Sequence, residues 1–235
     1  MRLHLRPLDT VGDICPVTGG PDGLALWHTR LSWTCSDRPL DLRVFAPEPF
    51  VLPEPELSEP VPGAIARCVH ACAGTGGLIL LANPAEALGP ERIALAEGLR
   101  LMAITSPADE ACWDALLALG QPCYGVRGSL TVDVIRPRPA NVLSALSFGV
   151  FLSSDGLLPT SLDESPKHVA WTCDESVEAE VIGRSGFTLA TASGPSGRYD
   201  DRGNEGVIRV VLRAGSRTCW TQPRFVAPRK DACAH

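Results

Sequence analysis

The sequence predicts an α/β protein followed by a small antiparallel β unit, and three observations predict it. From about Gly63 to Gly149 apolar strand-like runs alternate with helical patterns. After about Phe151 strand-like runs follow one another with no helical pattern between them. Ahead of both, "PEPFVLPEPELSEPVP" from Pro47 to Pro62 repeats proline too often for a helix or a central strand, so it reads as an extended crossing.

Taken in order, "RLHLR" at 2–6, "GLALW" at 23–27 and "LDLRVF" at 40–45 read as strands. The intervening "PLDTVGDICPVTGGPDG" is too rich in glycine and proline for a good helix. "GAIARCVHACAG" is helical and ends at glycine, and "GLILLANP" is a strand that must turn outward at Asn83-Pro84. "PERIALAEG" reads as a helix with a first-turn proline and a closing Gly98. "LRLMAIT" is a strand, "DEACWDALLALG" an amphipathic helix, "QPCYGVRG" a strand and "PANVLSALSFG" a helix. Such alternation implies a largely parallel sheet or barrel. The later runs "KHVAWTCD", "SVEAEVIG", "FTLATASG", "GVIRVVLRAG" and "SRTCWTQPRFVA" supply four or five antiparallel strands. The expected organisation is residues 1–156, then a β unit over 157–228, then a tail over 229–235.

Composition narrows the function classes. Hydrophobic residues at 45% and charged residues at 20% suit a chain that buries a core. A net charge of -6 and a pI near 5.4 give no basic footprint for nucleic acid. "MRLHLRPLDT" lacks the apolar run of a signal peptide, and no segment reaches the roughly 20 apolar residues that span a bilayer. A cytoplasmic protein is expected. The nine cysteines contain no Cys-x-x-Cys pair, so neither a zinc knuckle nor a redox motif is indicated. Cys68 and Cys72, four apart on a helix, read as small buried hydrophobes.

The order of pieces resembles the PHP (polymerase and histidinol phosphatase) superfamily of metal-dependent phosphoesterases. The resemblance rests on "AIARCVHACAGTGGLILLANPAE", "GLRLMAITS", "WDALLALGQPCYGV" and "NVLSALSFGVFLSSDG", between Ala64 and about Gly156. The closing "EGVIRVVLRAGSRTCWTQPRFV" is similar to the β tail of many members. The resemblance implies a contracted, distorted (β/α) barrel whose mouth gathers His-x-His, Asp-His, Glu, His and Asp-x-His around as many as three metal ions. Imidazoles and carboxylates there bind divalent ions that activate water and neutralise phosphate charge.

Residue by residue, most of those ligands are missing. "RLHLR" offers His4 followed by Arg6, and "LALWHTR" gives Trp27-His28. The Glu and Asn positions fall near Ala103 and Ser106, and Asn83 stands where histidine is usual. "YGVRGSLTVD" shows Ser129, Leu130 and Val132, with Asp133 slightly beyond. His4 and His28, with Asp133, Asp9 or Glu48 as acidic help, are therefore the candidate metal ligands, for zinc, manganese or iron if a residual site exists. The bland alternative is a pair of partly buried histidines satisfied by backbone. Arg6, Arg127 and Asn83 are candidate anion-binding groups at the mouth, against the alternatives of salt bridges and a stabilised turn before Pro84. "GTGG" at 74–77 reads as a helix cap rather than a phosphate loop, and Ser153, Ser154 and Asp155 have no Gly-x-Ser-x-Gly elbow.

Two functions stay open. One is a catalytically degenerate phosphoesterase-like domain acting as a binding or interaction module for a small molecule or protein. The other is a metal-dependent phosphoesterase with a reduced site, Arg6 or Arg127 steadying developing charge.

Overall fold

The computed structural model describes residues 2–4, 27–36, 38–48, 51–53, 58–127, 131–133 and 142–226. A short strand, β1 (Arg2–His4), precedes a hairpin of two nine-residue strands, β2 (Trp27–Cys35) and β3 (Arg38–Ala46). The hairpin turns at Ser36, whose φ of 47° lies where few residues other than glycine settle. Along β3, Leu40, Leu42 and Val44 are buried on one face, while Asp41 and Arg43 on the other are half-buried.

The helix α1 (Val61–Ala73) buries Val61, Ala64, Ile65, Cys68 and Cys72, the spacing of one helical face. Then follow β4 (Leu78–Leu81), α2 (Pro84–Ala87), a single 3-10 turn at Ile93–Leu95, and β5 (Leu101–Ala103). α3 (Pro107–Ala118) starts from a capping box between Ser106 and Asp109, and β6 (Tyr124–Val126) closes the sheet. The order is β2-β3-β4-β5-β6, with only the β4–β5 and β5–β6 pairs parallel.

Both faces of this sheet are covered. On one, Leu42, Val44, Leu81 and Met102 pack with α1 and α3. On the other, Phe45, Leu80, Leu101, Tyr124 and Val126 pack with Leu143 and Leu146 of α4 (Val142–Phe148).

A second sheet has nine strands, all its pairs antiparallel. It adds β7 (Thr131–Asp133), β8 (Leu152–Ser154), β9 (Ser161–Ser165), β10 (His168–Ile182), β11 (Thr188–Asp200), β12 (Val207–Ala214), β13 (Arg217–Trp220) and β14 (Arg224–Phe225) to β1. The main path runs β1-β7-β8-β13-β12-β10-β11. β10 is a single fifteen-residue strand whose register against β11 slips between Thr172 and Val177, where Thr172 pairs Ser196 and Val177 pairs Gly194.

The expected contracted (β/α) barrel is not what forms. Among the described residues strand outweighs helix, with four α-helices and two sheets. The physical reason is the β2–β3 hairpin, whose second strand pairs antiparallel with β4 and leaves too few parallel strands to close a barrel. β1, β7 and β8, counted with the barrel, pair into the antiparallel sheet instead. The "PERIALAEG" helix is also corrected, since only Ile93–Leu95 coils there, between Gly89 and Gly98 at positive φ. No helix among the described residues is long and apolar enough to cross a membrane.

Candidate functional site

The carboxyl ends of the parallel strands are the first place to look for chemistry. At the end of β4, Asn83 accepts from the Asp41 backbone N–H at 2.9 Å through Oδ1. Its Nδ2 donates to the Pro39 carbonyl at 3.2 Å and to Glu86 Oε2 at 3.5 Å. The amide thus extends the β3–β4 ladder past its last backbone rung. At the end of β5, the buried Asp109 Oδ2 accepts from the N–H and hydroxyl of both Thr105 and Ser106, and its Oδ1 accepts from Ala85 N–H at 3.2 Å. One carboxylate therefore fixes the start of α3 and ties it to α2.

At the end of β6, the Arg127 guanidinium lies 4.4 Å from the Trp220 ring centroid and 3.4 Å from Asp155 Oδ2. Its backbone N–H donates to Ser153 Oγ at 2.8 Å. Asp155 in turn accepts from the Thr218 backbone N–H. Of the anion-binding candidates, Asn83 and Arg127 both serve the fold, while Arg6 lies outside the described residues.

His4 stands on β1 opposite Thr131, and Asp133 on β7 opposite Arg2, within the nine-stranded sheet. His28 stands on β2 opposite Phe45, within the other sheet. The side chains of these three residues, and Asp9, Ser129 and Leu130, lie outside what is described. Among the described residues no group of three or more His, Cys, Asp or Glu is arranged to hold a metal. Glu48 is exposed beyond the end of β3.

Two clefts emerge that the sequence reading passed over. The first, about 650 Å³, lies between α3 and the β10–β12 face. Arg209 crosses it with its side chain 2% exposed, reaching Glu110 at 2.8 Å and Asp114 at 2.9 Å. Its guanidinium also stacks 4.7 Å from the Trp113 ring centroid. Burial pushes the Asp114 carboxyl above its ordinary range, aided by Glu110 and opposed by Arg209. Beside it, Arg213 pairs with Glu180 at 3.0 Å. The sequence signal was an arginine inside the apolar run "GVIRVVLRAG", which announces a buried ion pair.

The second cleft, about 540 Å³, opens at the starting ends of β4, β5 and β6, between the carboxyl ends of α1 and α4. Val69, Cys72, Ile79 and Phe148 make it apolar, and Arg100 and Tyr124 enter it. Burial raises the Tyr124 phenol, and the Arg100 charge partly offsets this.

Cys35, Cys68, Cys72, Cys112, Cys123, Cys173 and Cys219 are free and buried, as read for Cys68 and Cys72. Burial pushes the thiols of Cys68 and Cys112 to about 11 and those of Cys72 and Cys123 to about 12.

Comparison of the chain with protein-family models, with curated proteins and with solved structures finds no match in any of the three.

Proposed function

We propose that this chain is a binding or interaction module, a divergent relative of the PHP phosphoesterases that has turned a ligand position to structural use. The observation that carries the reading is Asn83. It sits at the strand end where the resemblance expects a metal-binding histidine, and its side chain is spent on the Asp41 N–H and the Pro39 carbonyl. Both ends of the amide are thus oriented by the backbone of β3, the oxygen by an N–H and the nitrogen by a carbonyl. Seven buried free thiols with no disulfide suit a reducing compartment, so the module is assigned to the cytoplasm.

A second reading, a phosphoesterase with a reduced metal site, draws support from one register. β1 and β7 pair His4 with Thr131 and Arg2 with Asp133, bringing a histidine and a carboxylate two positions apart on neighbouring strands. Elemental analysis of untagged protein, with phosphoester hydrolysis assayed alongside, separates the two. The module reading expects no stoichiometric metal and no turnover after zinc, manganese or iron is added. About one metal per chain, lost with hydrolysis in a His4→Ala, His28→Ala double variant, would overturn it.

A further inference from the structure

The cleft at the starting ends of β4, β5 and β6 lies away from Asn83, Asp109 and Arg127. Its volume, about 540 Å³, suits a small organic molecule. Among the residues lining it Arg100 carries the only formal charge. That guanidinium makes one long bond, to the Pro122 carbonyl at 3.5 Å, and has no carboxylate partner among the described residues. Tyr124 is only 9% exposed, yet its hydroxyl makes no hydrogen bond among the described residues. The ring is packed away, but the hydroxyl oxygen is not one of the buried unpaired atoms, so it faces the open cleft where a ligand could meet it. At the rim Phe148 stands 71% exposed, a large ring that nothing described covers.

An exposed guanidinium with no carboxylate partner, a phenol hydroxyl with no hydrogen bond among the described residues and an apolar wall ending in an uncovered ring together describe one class of occupant. We propose that this cleft binds a small monocarboxylate with an apolar body. The carboxylate is held by Arg100 and the Tyr124 hydroxyl, and the body lies against Val69, Ile79 and Phe148. Of the carbonyls ending α1, those of His70, Cys72 and Ala73 already accept from the nitrogens of Gly74, Thr75, Gly76 and Gly77. The site goes beyond the strand-end reading and does not depend on whether a metal binds at His4 and His28.

Fatty acids and arylalkanoic acids share this chemistry, so the test carries both. Titration calorimetry on the full chain uses octanoate, 3-phenylpropionate, and octylamine as the charge-reversed control. At least one acid binds and octylamine does not, and the tighter acid tells whether chain or ring is preferred. Arg100→Gln weakens the acid by about tenfold or more, since a charge-assisted contact is lost. Tyr124→Phe, which keeps the ring packing, weakens it by about threefold to tenfold. Octylamine binding as well as octanoate, Arg100→Gln binding as well as the parent, or neither acid binding at millimolar concentration would each overturn the proposal. The metal assay is read separately, so either idea can fail alone.

Discussion

Gln222 and Gly125 exchange two hydrogen bonds of 2.9 Å each, the Gly125 N–H donating to Gln222 Oε1 and Gln222 Nε2 donating back to the Gly125 carbonyl. Both bonds are buried, so a side-chain amide takes the place of a neighbouring strand on the outer edge of β6. Glycine is required opposite it, because a Cβ on Gly125 would come within 2.7 Å of the Trp113 indole. Gln222→Leu removes both partners and leaves a buried N–H and C=O unpaired. A loss of about 2–4 kcal/mol is expected by urea unfolding. A loss below about 1 kcal/mol would mean that water replaces the amide.

Arg209 is the only cation within hydrogen-bond distance of Asp114 among the described contacts, and it also neutralises Glu110. Arg209→Met therefore strands a buried carboxylate and should cost about 3–5 kcal/mol near pH 7. The Asp114 carboxyl already stands above its ordinary 3.8, and losing Arg209 removes what pulls it down. With the folded value raised, the favourable protonated form is fully present below the unfolded value and is lost as pH rises through the folded one. The variant should therefore regain stability on acidification toward pH 4, seen as a rising urea midpoint. A flat profile there would sink the account.

Glu205 behaves oppositely. Burial alone would raise its carboxyl, but the backbone N–H groups of Arg202 and Gly203 and the Tyr199 hydroxyl hold it below the ordinary 4.5. Tyr199, buried and bonded to Glu205, is pushed up to about 12. A depressed folded value contributes stability above the unfolded value that is lost as pH falls through the folded one. Glu205→Gln should lose about 2–3 kcal/mol at neutral pH and show a shallower decline below about pH 4.5, measured by thermal melts across pH.

The thiols give a simpler expectation. With seven described cysteines buried and free, a thiolate-seeking reagent should reach them only when the chain opens. The slow phase of labelling should match the unfolding rate in denaturant. Fast labelling of more than the two remaining cysteines, Cys15 and Cys233, would contradict the packing.

Local pattern carried much of this fold. α1 and α3 follow from apolar residues three and four apart, and β4 and β5 from short apolar runs bounded by glycine and Asn83-Pro84. The hairpin was missed because its turn is built on Ser36 at positive φ, with no Asn-Gly or Gly-Gly to announce it. β10 read as two strands because the polar "CDES" looks like a turn, whereas the chain bulges there and continues. The cleft holding Arg100, Tyr124 and Phe148 was invisible for a different reason. Its residues come from separate segments, and only tertiary pairing brings Leu101 and Tyr124 side by side.

The slipped register of β10 against β11 has a consequence for self-association. β11 is thirteen residues long and ends the path of the nine-stranded sheet, with no further neighbour among the described strands. A flat rim of that length would be a template for stacking one chain on the next. Pro195, which sits at the slip between Gly194 and Ser196, has no N–H to offer, and the residues that bulge opposite it, 173–176, lie on β10. Arg198 and Asp200 place charge along the same rim. An incoming strand meets a border interrupted at Pro195 and charged at Arg198 and Asp200, which disfavours growth of a fibril from this edge.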